Sequence, residues 1–582
     1  MHESSKGPLI SGTELAKVRQ QQAQVGDWPE WIPSIQIVMV AFQRDRVDTE
    51  APRVAVEDVV DIAAKGGIRL SDQKAADFAT LVSGLEAIIV DLPDDSCVIP
   101  IPNLSKYPRS DIHVPEDKDL GGLRMADKDG GQQVTAKCIA PTNDLLKGRT
   151  IALKDNIALA GAPCTNGTSM VEWTPKIDAT VATRVMDAGG IIVGKAACEN
   201  ACFEGLSASA CTGNVHNPWA EGFSAGGSSS GSGRLVGTGA VDMSIGCDQA
   251  GSIRIPAASC GIVGLKPTWG MVPYTGIVNL DAAIDHAGPM TRTVRDCALL
   301  LEAISGPDGW DDRQLLLDPG DERLKFVKPV DEIVAKPQSE MLSGIKIGLL
   351  QEGFQIDGQD ENIVKCVQTA VGKFEALGAK VTAVSIPEHK LASLVWMSSI
   401  ALPCGRQALL GGMEGRKQLY MTDRLALVGP RLTQQQFDSL GPGAANLYLN
   451  HLWFSERHGP AHQGKCMNLQ KYISDAYDKA LKEFDVLVMP TLPHPAPKLP
   501  ENGYEEGMLK FAMRTTGMIA NTSPFDNSGH PALSIPVGFV SAKEDTNVKL
   551  PAGLQLVGRK YSDVDCLKVA AAWEKAYDWK AL

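Results

Sequence analysis

The chain has no basic excess, no CxxC cysteine pair and no long apolar run. Lys and Arg total 56 against 69 Asp and Glu, a formal charge of −13 over 582 residues. Nucleic-acid binders ordinarily show a basic stripe, and anionic membrane surfaces attract the same sign of charge. Both partners are therefore disfavoured. Thirteen cysteines are scattered singly with no CxxC pair. An odd, dispersed set suits reduced thiols in a cytosol better than a disulfide framework. No stretch approaches the roughly 18 apolar residues of a membrane span; residues 35–42 (IQIVMVAF) fall far short. The opening MHESSKGPLISG is polar and lacks the apolar core of a signal peptide. With 44% apolar and 21% charged residues, the expectation is a large cytoplasmic globular protein, an enzyme by class.

The pattern along the chain separates two regions. Residues 1–92 read as a helical extension. Helical spacing covers 56–63 and 71–90, the second with Ala75, Phe78, Leu81, Val82, Leu85, Ile88 and Ile89 on one face and Ser71 as N-cap. From 93 to about 144, Pro, Asp, Gly and Lys dominate, which reads as an extended connection. After that, short apolar strands alternate with helices. A helix at 180–188 precedes a buried strand at 191–194. A strand–helix–strand unit covers 345–350, 361–377 and 380–385, and 485–489 and 532–540 are further buried strands. Such alternation argues for an α/β fold, its sheet covered by helices. Residues 388–480 are irregularly helical and read as a cap or substrate region.

The chemistry concentrates in residues 226–256, GGSSSGSGRLVGTGAVDMSIGCDQAGSIRIP. A flexible linker would not change character halfway, and VDMSIG between the Gly/Ser clusters is strand-like. A phosphate loop needs GxxxxGK[ST], and no Lys follows these glycines. A nucleophile elbow is literally present as Gly227-Ser228-Ser229-Ser230-Gly231, with Ser229 as nucleophile and His286 or His530 as partner. The preceding NPWAEGF is no strand, so its context is wrong. A third reading uses a lysine base. Lys154 ends the apolar run IALKDN, where burial would disfavour its ammonium and lower its pKa. Metal readings fail: Pro460 separates His458 from His462, which reads as loop histidines, no HExxH occurs, and Cys198 and Cys202 lack a second ligand pair.

This company resembles the amidase signature family. GGSSSGSGRLVGTGAVDMSIGCDQAGSIRIPAASCGIVGLKP matches the signature over some forty positions. KDNI, GGIIVGKA and HNPW upstream resemble its supporting segments, as do DVLVMPTLP, SPFDNSGHPALSIPVG and LPAGLQLVG downstream. GKAACENACFEGLS, DQAGSIRIPA and VPYTG look most like bacterial amidases that act beside nitrile hydratases. The resemblance implies an α/β/α fold with a twisted mixed sheet, filling 93–582. It implies a Ser–cis-Ser–Lys triad of Ser252, Ser228 and Lys154, with a cis Gly227–Ser228 peptide. Backbone N–H groups of Gln249, Ala250, Gly251 and Ser252 would face the oxyanion, with Ala250 where many members have glycine. Asp248 and Arg254 would brace the site, or form a structural ion pair. Ser229 and Ser230 would hydrogen-bond backbone within their own loop, and Cys202 and Phe203 would line the substrate pocket.

The reaction implied is hydrolysis of a small aliphatic or aromatic amide to its acid and ammonia, with no metal or organic cofactor. Similar enzymes dimerise through an N-terminal extension, so a homodimer is expected. Three alternatives stay open: an esterase on the same triad, an ammonia-releasing protein of amidotransferase type that needs a partner, and a binding protein that lost the chemistry.

Overall fold

The computed structural model describes residues 54–90, 92–110, 112, 134–315, 317–318, 320–412, 415–501 and 507–582. The first 53 residues of the expected helical extension, and residues 113–133 of the expected connection, lie outside these. The chain divides into two compact units at Val98–Ile99.

The first unit contains helices Val56–Lys65 and Asp72–Val90. The longer one starts immediately after Ser71. Its small residues Ala75 and Ala79 are buried, and Ser83 Oγ accepts the Val54 N–H at 2.9 Å. Ala75 is covered, but Phe78, Leu81, Val82, Leu85 and Ile89 are exposed.

Among the described residues of the second unit, twelve strands form one mixed sheet. They are β1 (Arg109–Ser110), β2 (Thr135–Ala136), β3 (Thr150–Lys154), β4 (Ile191–Ala196), β5 (Met243–Asp248), β6 (Val263–Lys266), β7 (His286–Thr291), β8 (Lys346–Leu350), β9 (Lys380–Val384), β10 (Val486–Pro490), β11 (Ala532–Ser541) and β12 (Lys549–Gly558). The order is β1-β2-β4-β3-β5-β7-β6-β11-β12-β10-β8-β9. β4, β3 and β5 run parallel, as do β10, β8 and β9. Antiparallel β7, β6, β11 and β12 join the two parallel blocks. The connection after 93 is not purely extended loop, since β1 and β2 form the sheet edge beside β4.

Alternation along the central strands sends side chains to two layers. Ile151 and Leu153 of β3, with Met243, Ile245 and Cys247 of β5, enter a core that includes residues of helices Thr180–Asp187, Val294–Ile304, Glu361–Gly372 and Asp563–Ala576. Ala152 faces the other way, into a cluster with Leu235, Val236, Ile253 and Ala257 from helices Ser230–Thr238 and Arg254–Cys260 and their approach. Lys154, two residues beyond Ala152, and Asp248, at the end of β5, share that second side. Strand periodicity thus aims the lysine at the Gly/Ser loop.

The 388–480 region forms helices Glu388–Ser399, Pro442–Arg457 and Gly459–Ala480 with shorter turns between. Trp396, Ile400, Leu409, Ala444 and Tyr448 pack with Met170, Ala201, Leu280 and Ile284 in one apolar cluster. Here the loop reading of the histidines is corrected. Pro460 occupies the first turn of the last helix, where its missing N–H is harmless, so His462 is helical and pairs with Ser398 O at 3.1 Å.

Candidate active site

Lys154 and Ser228 are both fully buried, and Lys154 Nζ lies 2.8 Å from Ser228 Oγ and 3.4 Å from Cys247 O. The Gly227–Ser228 peptide is cis. Glu199 N–H donates to Ser228 O at 3.1 Å, and Ser229 N–H to Ser252 O at 3.3 Å. The second bond brings the AGSIR turn against the Gly/Ser loop. Ser252 is 8% exposed, whereas the two serines that follow Ser228 are sealed. Ser229 Oγ reaches beyond its own loop: it donates to Cys247 O at 3.1 Å and accepts Cys247 N–H at 3.3 Å. A side chain on Gly246 would lie 3.0 Å from Ser229 Oγ and 2.7 Å from Met290 Sδ, so β5 needs glycine at this approach. His286 pairs with Ile284 O at 2.7 Å, and His530 with Ser528 Oγ and Asp478, each at 3.0 Å. The elbow reading of Ser229 therefore has no partner in place.

Burial is the largest influence on Lys154 and disfavours its ammonium; attraction to Cys202, Cys247, Cys198 and Asp248 opposes burial, and all together they raise it above its ordinary value. A sulfur attracts a cation only as thiolate. Burial pushes Cys247 up to about 12, and Cys198 stands well above its ordinary value through its hydrogen bond with Cys202 and burial. Cys202 is opposed by burial but drawn down by Cys198 and by Lys154 itself. In a site this deeply buried a neutral Lys–Cys pair is favoured over the ion pair. With the thiols protonated, burial prevails and the direction we assign to Lys154 near neutrality is downward.

The AGSIR turn is held by a buried ion pair. Asp248 accepts from Gly251 N–H (2.5 Å), Ile253 N–H (3.0 Å) and Arg254 Nε and Nη2 (2.9 Å each). Burial opposes its charge, but Arg254 holds its carboxyl well below the usual range. Arg254 also binds Asp526 (2.7 Å), Thr522 O (2.8 Å) and Gln555 Oε1 (2.9 Å). Of the four expected oxyanion donors, Gly251 directs its N–H at Asp248 instead. Its φ of +137° and the 2.5 Å separation of an added Cβ from Thr522 Oγ1 reserve this position for glycine. Ala250 and Ser252 N–H donate to no acceptor among the described residues. Gln249 is fixed from two sides, its Nε2 donating to Tyr274 Oη at 2.9 Å and its carbonyl accepting Trp396 Nε1–H at 2.7 Å.

Cys202 is buried, at φ +58°, with its thiol on Asn166 Oδ1 at 3.2 Å. Phe203 and Ala250 both pack on the apolar cluster that contains Trp396. Trp396, Asp526, Thr522 and Gln555 escape sequence reading. Asp526 and Gln555 had a signal only as members of the segments SPFDNSGH and LPAGLQLVG. Among the described residues no cluster of three metal-ligating side chains occurs, and no helix is long and apolar enough to cross a membrane.

A mixed sheet that ends a central strand in a sealed lysine, against a Gly/Ser loop and a braced serine turn, fits a hydrolase acting on amides. The family model named Amidase matches residues 131–567, and the chain belongs to that family, the amidase signature enzymes. It is 39% identical over 435 residues to an enantioselective amidase of Rhodococcus rhodochrous, covering 74% of this chain and 80% of that one. It is 32% identical over 430 residues to a glutamyl-tRNA(Gln) amidotransferase component of Pseudothermotoga lettingae, with coverage of 74% and 86%. The X-ray structure of native peptide amidase from Stenotrophomonas maltophilia superposes with a TM-score of 0.59 at 26% identity, over 74% of this chain and 83% of that one.

Proposed function

We propose that the chain hydrolyses a small aliphatic or aromatic carboxylic amide to the acid and ammonia, with Ser252 as nucleophile, Ser228 as proton relay and Lys154 as base. The observation that carries this reading is the 2.8 Å contact of Lys154 with Ser228, both without solvent exposure. Ser252 Oγ attacks the amide carbonyl carbon. Its proton passes to Ser228 while Ser228 gives its own to neutral Lys154. The oxyanion meets the N–H groups of Ala250 and Ser252, each worth about 2.7–4 kcal/mol in such sites. As the C–N bond breaks, the proton returns through the relay to the nitrogen and ammonia leaves. Water then attacks the acyl ester, giving its proton to the same relay and releasing acid and Ser252. Asp248 and Arg254 hold the turn and carry no proton. Cys202 and Phe203 border the acyl pocket, and residues 388–480 cap it.

The motif likeness to nitrile-pathway amidases is the reason for favouring simple acyl groups, and the composition supports a cytoplasmic location. The test is ammonia release from propionamide, benzamide and indole-3-acetamide by wild type and Ser252→Ala. We expect release that falls roughly 10³-fold or more in the variant. Equal release from both would remove Ser252 from the chemistry. The 32% identical amidotransferase component supports a second reading, in which the ammonia goes to a partner chain. Free amides left intact by wild type would favour it. Faster turnover of the matching ethyl esters would favour an esterase.

A further inference from the structure

Arg424 lies on the short helix Thr422–Leu425 and is only 4% exposed. Its Nη2 is buried and has no hydrogen-bond partner among the described residues. Other buried arginines are satisfied differently: Arg254 holds two carboxylates, and Arg313 holds Asp311 and two carbonyls. The carboxylate next to Arg424 is turned elsewhere. Asp423 accepts from Trp173 Nε1 at 3.0 Å and from the backbone N–H of Arg424 at 2.9 Å. Burial lowers Arg424 below its ordinary value, against weaker attraction from Cys164, Cys202 and Asp423. A buried cation short of counter-charge is costly unless something supplies an anion.

Arg424 lines a narrow, open cleft. Thr275 lines the same cleft, and its buried hydroxyl has no hydrogen-bond partner among the described residues. Leu419, Met421 and Leu425 supply apolar wall. Tyr274 forms another part of it, and its hydroxyl holds Gln249, three residues before Ser252. Tyr274 thus links the wall of this cleft to the turn that carries Ser252.

We propose that Arg424 and Thr275 form a carboxylate subsite beside the active site, and that the amide hydrolysed here carries a second, ionised carboxyl group. A guanidinium fork matches a carboxylate in two parallel hydrogen bonds, and the Thr275 hydroxyl is a third donor. The charge fits a monoanion. A phosphate dianion would leave net negative charge close to Asp423 with one cation to meet it. The substrate half of this inference rests on the amidase reading; the binding half does not.

The binding test needs no turnover. Succinate, glutarate and adipate are titrated calorimetrically into wild type, Arg424→Gln and Arg424→Lys, each beside its chain-matched monocarboxylate. We expect at least one dicarboxylate to bind wild type about 30-fold more tightly than its monocarboxylate, the scale of hydrogen bonds to a charged group. Arg424→Gln should abolish the difference, and Arg424→Lys, which keeps charge but loses the fork, should cut it several-fold. Equal affinities in wild type, or discrimination that survives Arg424→Gln, would overturn the subsite. If Arg424→Gln does not fold, undiminished discrimination in Arg424→Lys would overturn it. The corresponding ω-carboxylated monoamides are then assayed for ammonia. Arg424-dependent binding with no ammonia from any amide would overturn the amidase reading and leave the subsite standing.

Discussion

Glu204 is a carboxyl in a difficult place. Burial and the neighbouring Glu199 push its pKa up to about 8 from 4.5, against a single favourable N–H from Gly443. Gly443 lies at the start of helix Pro442–Arg457, so the side chain joins the segment after Cys202 and Phe203 to that helix. The folded state keeps its proton between pH 4.5 and 8, while the unfolded chain has already lost its own. The unfolded state then binds fewer protons, so stability falls as pH rises across that window and stays lowered above it. Below about pH 4.5 both states are protonated and nothing is lost. Glu204→Gln keeps the shape and removes the titration. It is expected to gain about 1 kcal/mol over wild type at pH 9 and nothing at pH 4.5, with partial exposure of the side chain setting the modest size. Urea denaturation at the two pH values checks this, and an equal effect at both would show that the charge is irrelevant.

At the scale of elements, the helix Glu388–Ser399 is coupled to the turn that carries Ser252 by one hydrogen bond, Trp396 Nε1–H to Gln249 O. In a trans peptide the carbonyl and the following N–H point opposite ways. Holding the Gln249 carbonyl on the indole thus turns the Ala250 N–H the other way, toward where an oxyanion would sit. Trp396→Phe preserves most of the packing and strands a buried carbonyl, at about 1–2 kcal/mol. We expect kcat for amide hydrolysis to fall about tenfold with KM within about twofold of wild type. A rise in KM alone would make Trp396 a pocket wall and nothing more.

This contact also marks what sequence can and cannot disclose. Ser228 and Ser252 lie in one contiguous signature, and Lys154 ends an apolar run, so the family resemblance that singles them out is carried by local sequence. Trp396 meets Gln249 across 147 positions, and no local pattern marks an indole that will meet a distant carbonyl. The buried strands 191–196, 346–350 and 486–490 were legible from β-branched and aliphatic runs. β7 was not, because Gly288 and Pro289 make HAGPMT look like loop, although it pairs with both β5 and β6. Gly251 misled in another way. Its place in the signature suggested an oxyanion donor, but the carboxylate three residues earlier claims its N–H.

For the whole molecule, the surface left uncovered is the argument about assembly. Helix Asp72–Val90 places Phe78, Leu81, Val82, Leu85 and Ile89 at helical spacing, and Leu81 and Leu85 are 63% and 58% exposed. Single exposed apolar side chains are ordinary, but a stripe of them along one helix marks an interaction surface. We infer that a second copy of the chain covers it, as expected from the helical extension. Sedimentation velocity should then give twice the 62.1 kDa chain mass. Leu81→Asp with Leu85→Asp should shift the protein to a monomer and leave ammonia release per chain within about twofold, because burying two carboxylates in an apolar contact is prohibitive. A monomeric wild type would refute the dimer. A dimer that survives both aspartates would move the interface to another surface.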